Sequence, residues 1–204
     1  MYLSQLLVNP RSRDARVDLG DRYELHRTLM NAFPEKLPAD ERILYRVEEN
    51  RNLPVISVLV QSHYLPEWDA SERMQQSGYL MDAPQVRQIV PGVDQGQRLP
   101  FRLQANPTVK RDGKRHAVYG DAELLGWLQR KGDQHGFACD PLDVQIAKLG
   151  KKYGKRRQAI WHAVQFDGVL TITSTESFTD ALVSGIGSAK AFGFGLLSIR
   201  YRRA

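Results

Sequence analysis

The feature that most constrains this chain of 204 residues is an order of short apolar runs and amphipathic segments that occurs twice. A segment ordered strand, helix, two strands, helix, strand can lay both helices over one face of an antiparallel sheet. In the first half, residues 2–8 read as a buried strand and 9–14 as a loop. Asp21 and Glu24 form a capping-box pair, Leu25, Leu29 and Phe33 recur at spacing four, and Pro34 predicts the stop of a helix. Residues 42–49 alternate Ile43, Tyr45 and Val47 with polar partners, residues 55–60 are rich in β-branched side chains, and the two runs predict a hairpin. A weaker helical stretch over 68–76 and a short strand over 86–90 complete the βαββαβ order.

Residues 91–96, Pro-Gly-Val-Asp-Gln-Gly, carry turn chemistry, and the domain boundary is placed there. The expected domains are 1–92 and 97–204. In the second, residues 98–106 predict a strand and 122–131 a helix with Leu124, Leu125 and Leu128 on one side. Residues 159–173 predict a hairpin turning at Asp167-Gly168, followed by a helix over 176–183 and a strand over 196–201. The fold class is α+β, with two split βαβ units in tandem and antiparallel sheets.

Charge changes sign at the same boundary. Residues 1–97 hold 11 Lys/Arg and 14 Asp/Glu, a balance of −3, whereas 98–204 hold 18 and 9, a balance of +9. A polyanion would therefore dock mainly on the second half. No apolar run approaches the roughly 20 residues that span a bilayer, and the N-terminus lacks the features of a secretory signal, so no membrane association and a cytoplasmic location are expected. One cysteine, Cys139, excludes an internal disulfide and a Cys-rich metal site.

Tyr23 and His26 stand at i and i+3 in the first turn of the capped helix and share a face. A helix N-terminus disfavours protonated imidazole, and neutral His26 would take a proton from a ribose 2′-hydroxyl, with Tyr23 orienting it. A histidine that only flanks the core fits the same spacing.

Lys110, Arg111, Lys114 and Arg115 flank Asp112-Gly113, the pattern of a hairpin tip bearing cations on both arms. Lys148, Lys151, Lys152, Lys155, Arg156 and Arg157 form a basic run that reads as a flexible loop, in which Tyr153 either stacks on a base or, as a lone loop aromatic more often does, packs locally. Arg200, Arg202 and Arg203 make a third cluster. Each cluster alone fits a solvated face, but several in one half favour nucleic acid, and scattered loop cations suit duplex RNA, which is read through phosphate and shape.

Residues 185–195, Gly-Ile-Gly-Ser-Ala-Lys-Ala-Phe-Gly-Phe-Gly, invite a nucleotide-binding reading that fails in detail. Lys190 lies between alanines, so there is no Gly-Lys-Ser/Thr, and no G-x-G-x-x-G is completed. A turn of Gly185, Gly187, Gly193 and Gly195 approaching phosphate, with Lys190 as a point charge, fits better; a tight turn needing positive φ is compatible with it.

With these residues in hand, the chain resembles the CasE family of CRISPR-associated endoribonucleases, RAMP-superfamily members of type I-E systems. The landmarks are Met1-Tyr2-Leu3-Ser4, Tyr23-Glu24-Leu25-His26 with Phe33-Pro34, Val58-Leu59-Val60-Gln61-Ser62, residues 101–107, Trp127-Leu128, Gly168-Val169-Leu170 and residues 185–197. The resemblance implies two ferredoxin-like, RRM-like domains and cleavage of CRISPR precursor RNA at the base of the repeat stem-loop, leaving 5′-hydroxyl and 2′,3′-cyclic phosphate ends. It implies as partners the repeat stem-loop, the mature crRNA retained after cleavage, and other Cascade subunits, with no metal and no small-molecule cofactor. His26 matches the family histidine and Tyr23 its companion. Arg27, Arg102, Lys110, Arg111, Lys114, Arg115, Lys151, Lys152, Lys155, Arg156, Arg157 and Lys190 are the expected RNA-binding residues. Phe194 stands where a smaller residue such as Cys is expected. The rival reading is a non-catalytic subunit that binds an RNA stem-loop within a ribonucleoprotein.

Overall fold

The computed structural model describes residues 1–38, 41–49, 54–76, 78–154 and 158–200. Two compact units divide them: Met1–Val90 with Lys152–Ile160 and Ala191–Gly193, and Pro91–Lys151 with Trp161–Lys190 and Phe194–Ala204.

In the first unit, β1 (Tyr2–Val8), β2 (Leu44–Glu49), β3 (Ile56–Ser62) and β4 (Gln85–Gln88) form a sheet of order β2-β3-β1-β4. β1 pairs antiparallel with β3 from Tyr2↔Ser62 to Val8↔Ile56 and with β4 from Tyr2↔Gln88, and the expected β2–β3 hairpin is present. One face meets the helices, with Leu6 and Val8 of β1, Tyr45 and Val47 of β2, and Val58 and Val60 of β3 buried at alternate positions, while on β2 the intervening Leu44 and Arg46 are buried too. They join one core with Leu25 and Leu29 of α2 (Arg22–Met30) and with Trp68. α2 ends at Met30, before Pro34, and the stretch at 68–76 divides into a 3₁₀ turn, Trp68–Ala70, and the single turn α3 (Glu72–Gln75).

The expected loop at 9–14 gives way at Arg13 to a helix, α1 (Arg13–Gly20). Its apolar face is short, Ala15 and Leu19 at spacing four against the core, and it is anchored as well by Asp18, which like Ala15 is fully buried. Tyr79 donates a 2.7 Å hydrogen bond to Asp18 Oδ2, and Arg73 lies 3.1 Å from Oδ1. A carboxylate so placed needs these partners, because burial raises its pKa by favouring the neutral form.

The second unit repeats the strand order. β5 (Arg98–Ala105), β8 (Phe137–Cys139), β10 (Ala159–Ile172) and β11 (Leu197–Ile199) form the order β11-β5-β10-β8, and β9 (Gln145–Gly154) pairs with β10. With α4 (Asp121–His135) and α5 (Thr175–Ser184) between them, these strands run βαββαβ, as in a ferredoxin-like domain. Leu99, Phe101 and Leu103 of β5 and Phe166 and Leu170 of β10 meet Leu124, Trp127 and Leu128 of α4 and Phe178 and Leu182 of α5 in one core. Trp127 stacks on Phe166 at 5.8 Å and 14°. A separate hairpin, β6 (Thr108–Arg111) and β7 (Lys114–Ala117), stands outside this sheet.

The hairpin expected over 159–173 is instead one continuous strand of 14 residues, β10, and the second strand of the pattern is β8. Gly168 does not turn the chain; it pairs with Phe101 in the ladder. A Cβ at Gly168 would lie 2.5 Å from the Asp143 carbonyl oxygen. This glycine serves close backbone approach. Gly168→Ala should therefore overpack the site and cost about 1–3 kcal/mol. A lowered midpoint of chemical denaturation would register this, and an unchanged midpoint would contradict it.

Candidate functional site

α2 of the first unit carries Tyr23, His26 and Arg27. Asp21, extended at φ −138°, caps it and accepts a 3.0 Å hydrogen bond from the Tyr23 N–H. The capping box is half formed: Glu24 does not reach back but pairs with Arg27, and the Asp21 N–H donates to the Asp18 carbonyl. Helical spacing puts Tyr23 and His26 on one face.

His26 is half-buried, with its Nδ1 out of solvent and without a hydrogen-bond partner among the described residues. The Phe192 ring stands against it, centroids 6.2 Å apart and planes tilted by 59°. Burial lowers the His26 pKa from its ordinary value of 6.5. The expected cause, the helix N-terminus, is not the operative one: α2 starts at Arg22, so His26 stands one turn in, where the terminal field has faded. Desolvation keeps the imidazole neutral, so it can accept a proton near pH 7.

Arg22, the first residue of α2, is 4% exposed, and its Nη1 has no hydrogen-bond partner among the described residues. Tyr45 donates to the Arg22 carbonyl at 3.2 Å. A Cβ at Gly193, φ +84°, would lie 2.8 Å from the Tyr45 ring and 3.2 Å from Arg22 Nη1.

In the second unit the β6–β7 hairpin forms as expected. Asp112 and Gly113 take φ of +49° and +75°, as a two-residue turn with both central residues left-handed requires. Lys110, Arg111, Lys114 and Arg115 are all exposed on its arms. Between the hairpin and α4 runs a groove of about 760 Å³, lined by Lys110, Arg111 and His116 on one wall and by Arg130, Lys131 and Gln134 on the other. Burial and neighbouring Arg130 lower the Lys131 pKa, while burial, then Lys131 and Lys190, lower that of His135. Cations crowded in this way mark a surface suited to polyanions. The α4 residues escape sequence reading because charges at helical spacing look like an ordinary solvated face; Glu123, Trp127, Arg130 and Gln134, at intervals of three and four, are the pattern that points to this wall.

The other expected RNA contacts are dispersed. Arg102 makes a two-point ion pair with Asp167 across the sheet, Nε to Oδ1 at 2.6 Å and Nη2 to Oδ2 at 3.2 Å, so it is engaged within the protein. Lys148, Lys151 and Lys152 lie on β9, an extended strand through Gly154 rather than the start of a flexible loop. Lys148 pairs with Asp121 at 2.7 Å and Lys152 with Glu49 at 3.3 Å, while Lys151 and Tyr153 are exposed. Lys155, Arg156, Arg157, Arg202 and Arg203 lie outside the described residues.

Gly185, Gly187, Gly193 and Gly195 all take positive φ, as does Ala189, and Lys190 begins a 3₁₀ turn, Lys190–Phe192. The missing side chains face the protein itself: a Cβ at Gly187 would meet Trp127 at 3.2 Å, and one at Gly195 the Ile186 carbonyl at 2.7 Å. Phe194 is fully buried, tilted against Trp161 at 6.4 Å. Among the described residues no group of three or more His, Cys, Asp or Glu is placed to hold a metal ion, and no helix is long and apolar enough to cross a membrane.

A family model described as CRISPR associated protein matches residues 1–201. The chain is 38% identical to the CRISPR-associated endoribonuclease Cse3 of Thermus thermophilus, over 98% of the chain and 99% of that protein. It is 31% identical to the CRISPR system Cascade subunit CasE of Escherichia coli, over 98% of each. Among solved structures, a CRISPR endoribonuclease Cse3 bound to a 19-nucleotide RNA superimposes with a TM-score of 0.88 at 35% identity, covering 98% of this chain and all of that one.

Proposed function

The chain belongs to the CRISPR-associated protein family that includes Cse3 and CasE, and from that premise we propose that it is an endoribonuclease that cleaves CRISPR precursor RNA at the base of the repeat stem-loop. The observation that carries the catalytic part is His26: a half-buried imidazole with lowered pKa, on the face it shares with Tyr23. Neutral His26 takes the proton of the 2′-hydroxyl, Tyr23 orients that group, and the 2′-oxygen attacks the adjacent phosphorus. The 5′-oxygen leaves and takes a proton from water to become a 5′-hydroxyl, the His26 imidazolium returns its proton to solvent, and the other product end is a 2′,3′-cyclic phosphate. Because the nucleophile belongs to the substrate, no metal-bound water is needed.

Affinity comes from the second unit. The exposed hairpin cations and the facing Arg130 and Lys131 neutralise the backbone of the stem, with Lys151 and Lys190 as further contacts. Engaged in this way, the enzyme holds the product hairpin after cleavage and carries the mature crRNA into a complex with other Cascade subunits.

The test is incubation in EDTA with a labelled repeat stem-loop and with its analogue bearing a 2′-deoxyribose at the scissile nucleotide. We expect the ribose substrate to be cut and the deoxy substrate to be bound but left intact. Cutting of both would rule out attack by the 2′-hydroxyl, and tight binding of both without cutting would support the non-catalytic subunit.

A further inference from the structure

Three unfavourable choices coincide at Arg22. Its guanidinium is buried, its Nη1 is unsatisfied among the described residues, and its positive charge stands at the helix N-terminus, the end that repels cations. Of the carboxylates near it, Glu49 contributes only through its field, and Glu49 is exposed and paired with Lys152. An apolar side chain of similar length would fill this volume at lower cost, so a cation retained here points to a task other than stability.

Position indicates the task. Arg22 and His26 are separated by one helical turn and so lie on the same face of α2. Phe192 rests against His26, and Gly193, the next residue, leaves without a side chain the place where Arg22 Nη1 and the Tyr45 ring edge come together. Two consecutive residues of one segment thus contact two consecutive turns of α2.

We propose that Arg22 is a positioning residue for RNA cleavage: its buried guanidinium, with Tyr45, seats Gly193 against the start of α2, and this seating places Phe192 over the His26 imidazole. The inference rests on His26 being the general base. Phe192 supplies part of the apolar cover of His26, and that cover is the cause of its lowered pKa. Residues 191–193 bring no titratable group to the imidazole, and the ionisable neighbours on α2 itself are Arg22, Tyr23, Glu24 and Arg27.

The experiment measures single-turnover cleavage at saturating repeat hairpin, hairpin affinity, the pH–rate profile and the melting temperature for the wild type, Arg22→Met, Arg22→Lys and Gly193→Ala. For Arg22→Met we expect folding at least as stable as wild type, unchanged affinity, a rate lowered by about 10- to 100-fold through misplacement of the imidazole, and an acidic limb moved up toward the ordinary histidine value. Gly193→Ala should reproduce the loss, since its Cβ would press on Tyr45 and Arg22, and Arg22→Lys should recover part of the rate. If Arg22→Met fails to fold, the other two variants decide by the same readouts. Wild-type rate and an unmoved limb in the folded variants would overturn the proposal, as would equal losses of stability, affinity and rate, which mark a structural strut. A wild type that cuts no hairpin would defeat the cleavage reading itself and is distinguishable from either outcome.

Discussion

His26→Ala lowers the single-turnover rate on a bound repeat hairpin by about 10²- to 10⁴-fold, the range expected for removing a positioned general base. Affinity should change little, because α2 lies in the first unit and the groove cations lie in the second. The pH dependence follows in sign. The folded-state pKa of His26 is lowered, so the imidazole stays neutral below its ordinary titration range, and the wild-type rate declines only as pH falls through that lowered value. A profile whose acidic limb lies above 6.5 would contradict the assignment, as would an alanine variant that cuts at the wild-type rate.

Replacing Lys110, Arg111, Lys114 and Arg115 together by alanine produces the second large effect, on binding. If each neutralises one phosphate, the slope of log affinity against log salt shrinks by about 3–4, and affinity at low salt drops by roughly 10²-fold. Cleavage at saturating RNA should persist, since none of these side chains belongs to α2. The loss should be similar for stems of different sequence, because backbone contacts carry no base information. Filter binding over a salt series measures both quantities; an unaltered slope would show that the arms do not touch the phosphates.

One dipeptide shows what sequence reading resolves and where it stops. Asp112-Gly113 and Asp167-Gly168 carry the same turn signal; the first closes a hairpin, whereas the second runs straight through a 14-residue strand. At Gly168 the glycine answers a neighbour distant in sequence, the Asp143 carbonyl, and no local pattern announces that contact. α1 was hidden for a related reason, its core contacts being only Ala15 and Leu19 and its other anchor a buried aspartate partnered from residues 73 and 79. Within the candidate site, the spacing of Tyr23 and His26 is legible, as is the cationic hairpin. The cover of His26 by Phe192, the burial of Arg22 and the α4 wall of the groove arise from tertiary packing, and a helix charge pattern does not distinguish a binding wall from a solvated face.

The register of the β6–β7 hairpin sets Lys110 opposite Arg115 and Arg111 opposite Lys114. Like charges facing each other across a two-stranded ribbon work against its closure, and a ribbon of this size has little stability to spare. A bound polyanion removes that repulsion, so the order of the finger and the occupancy of the groove are thermodynamically linked. The free finger therefore opens more readily than the bound one, and part of the intrinsic binding energy goes into holding it shut. Ionic strength then acts twice and in opposition: added salt weakens the hold on the nucleic acid while it steadies the empty finger.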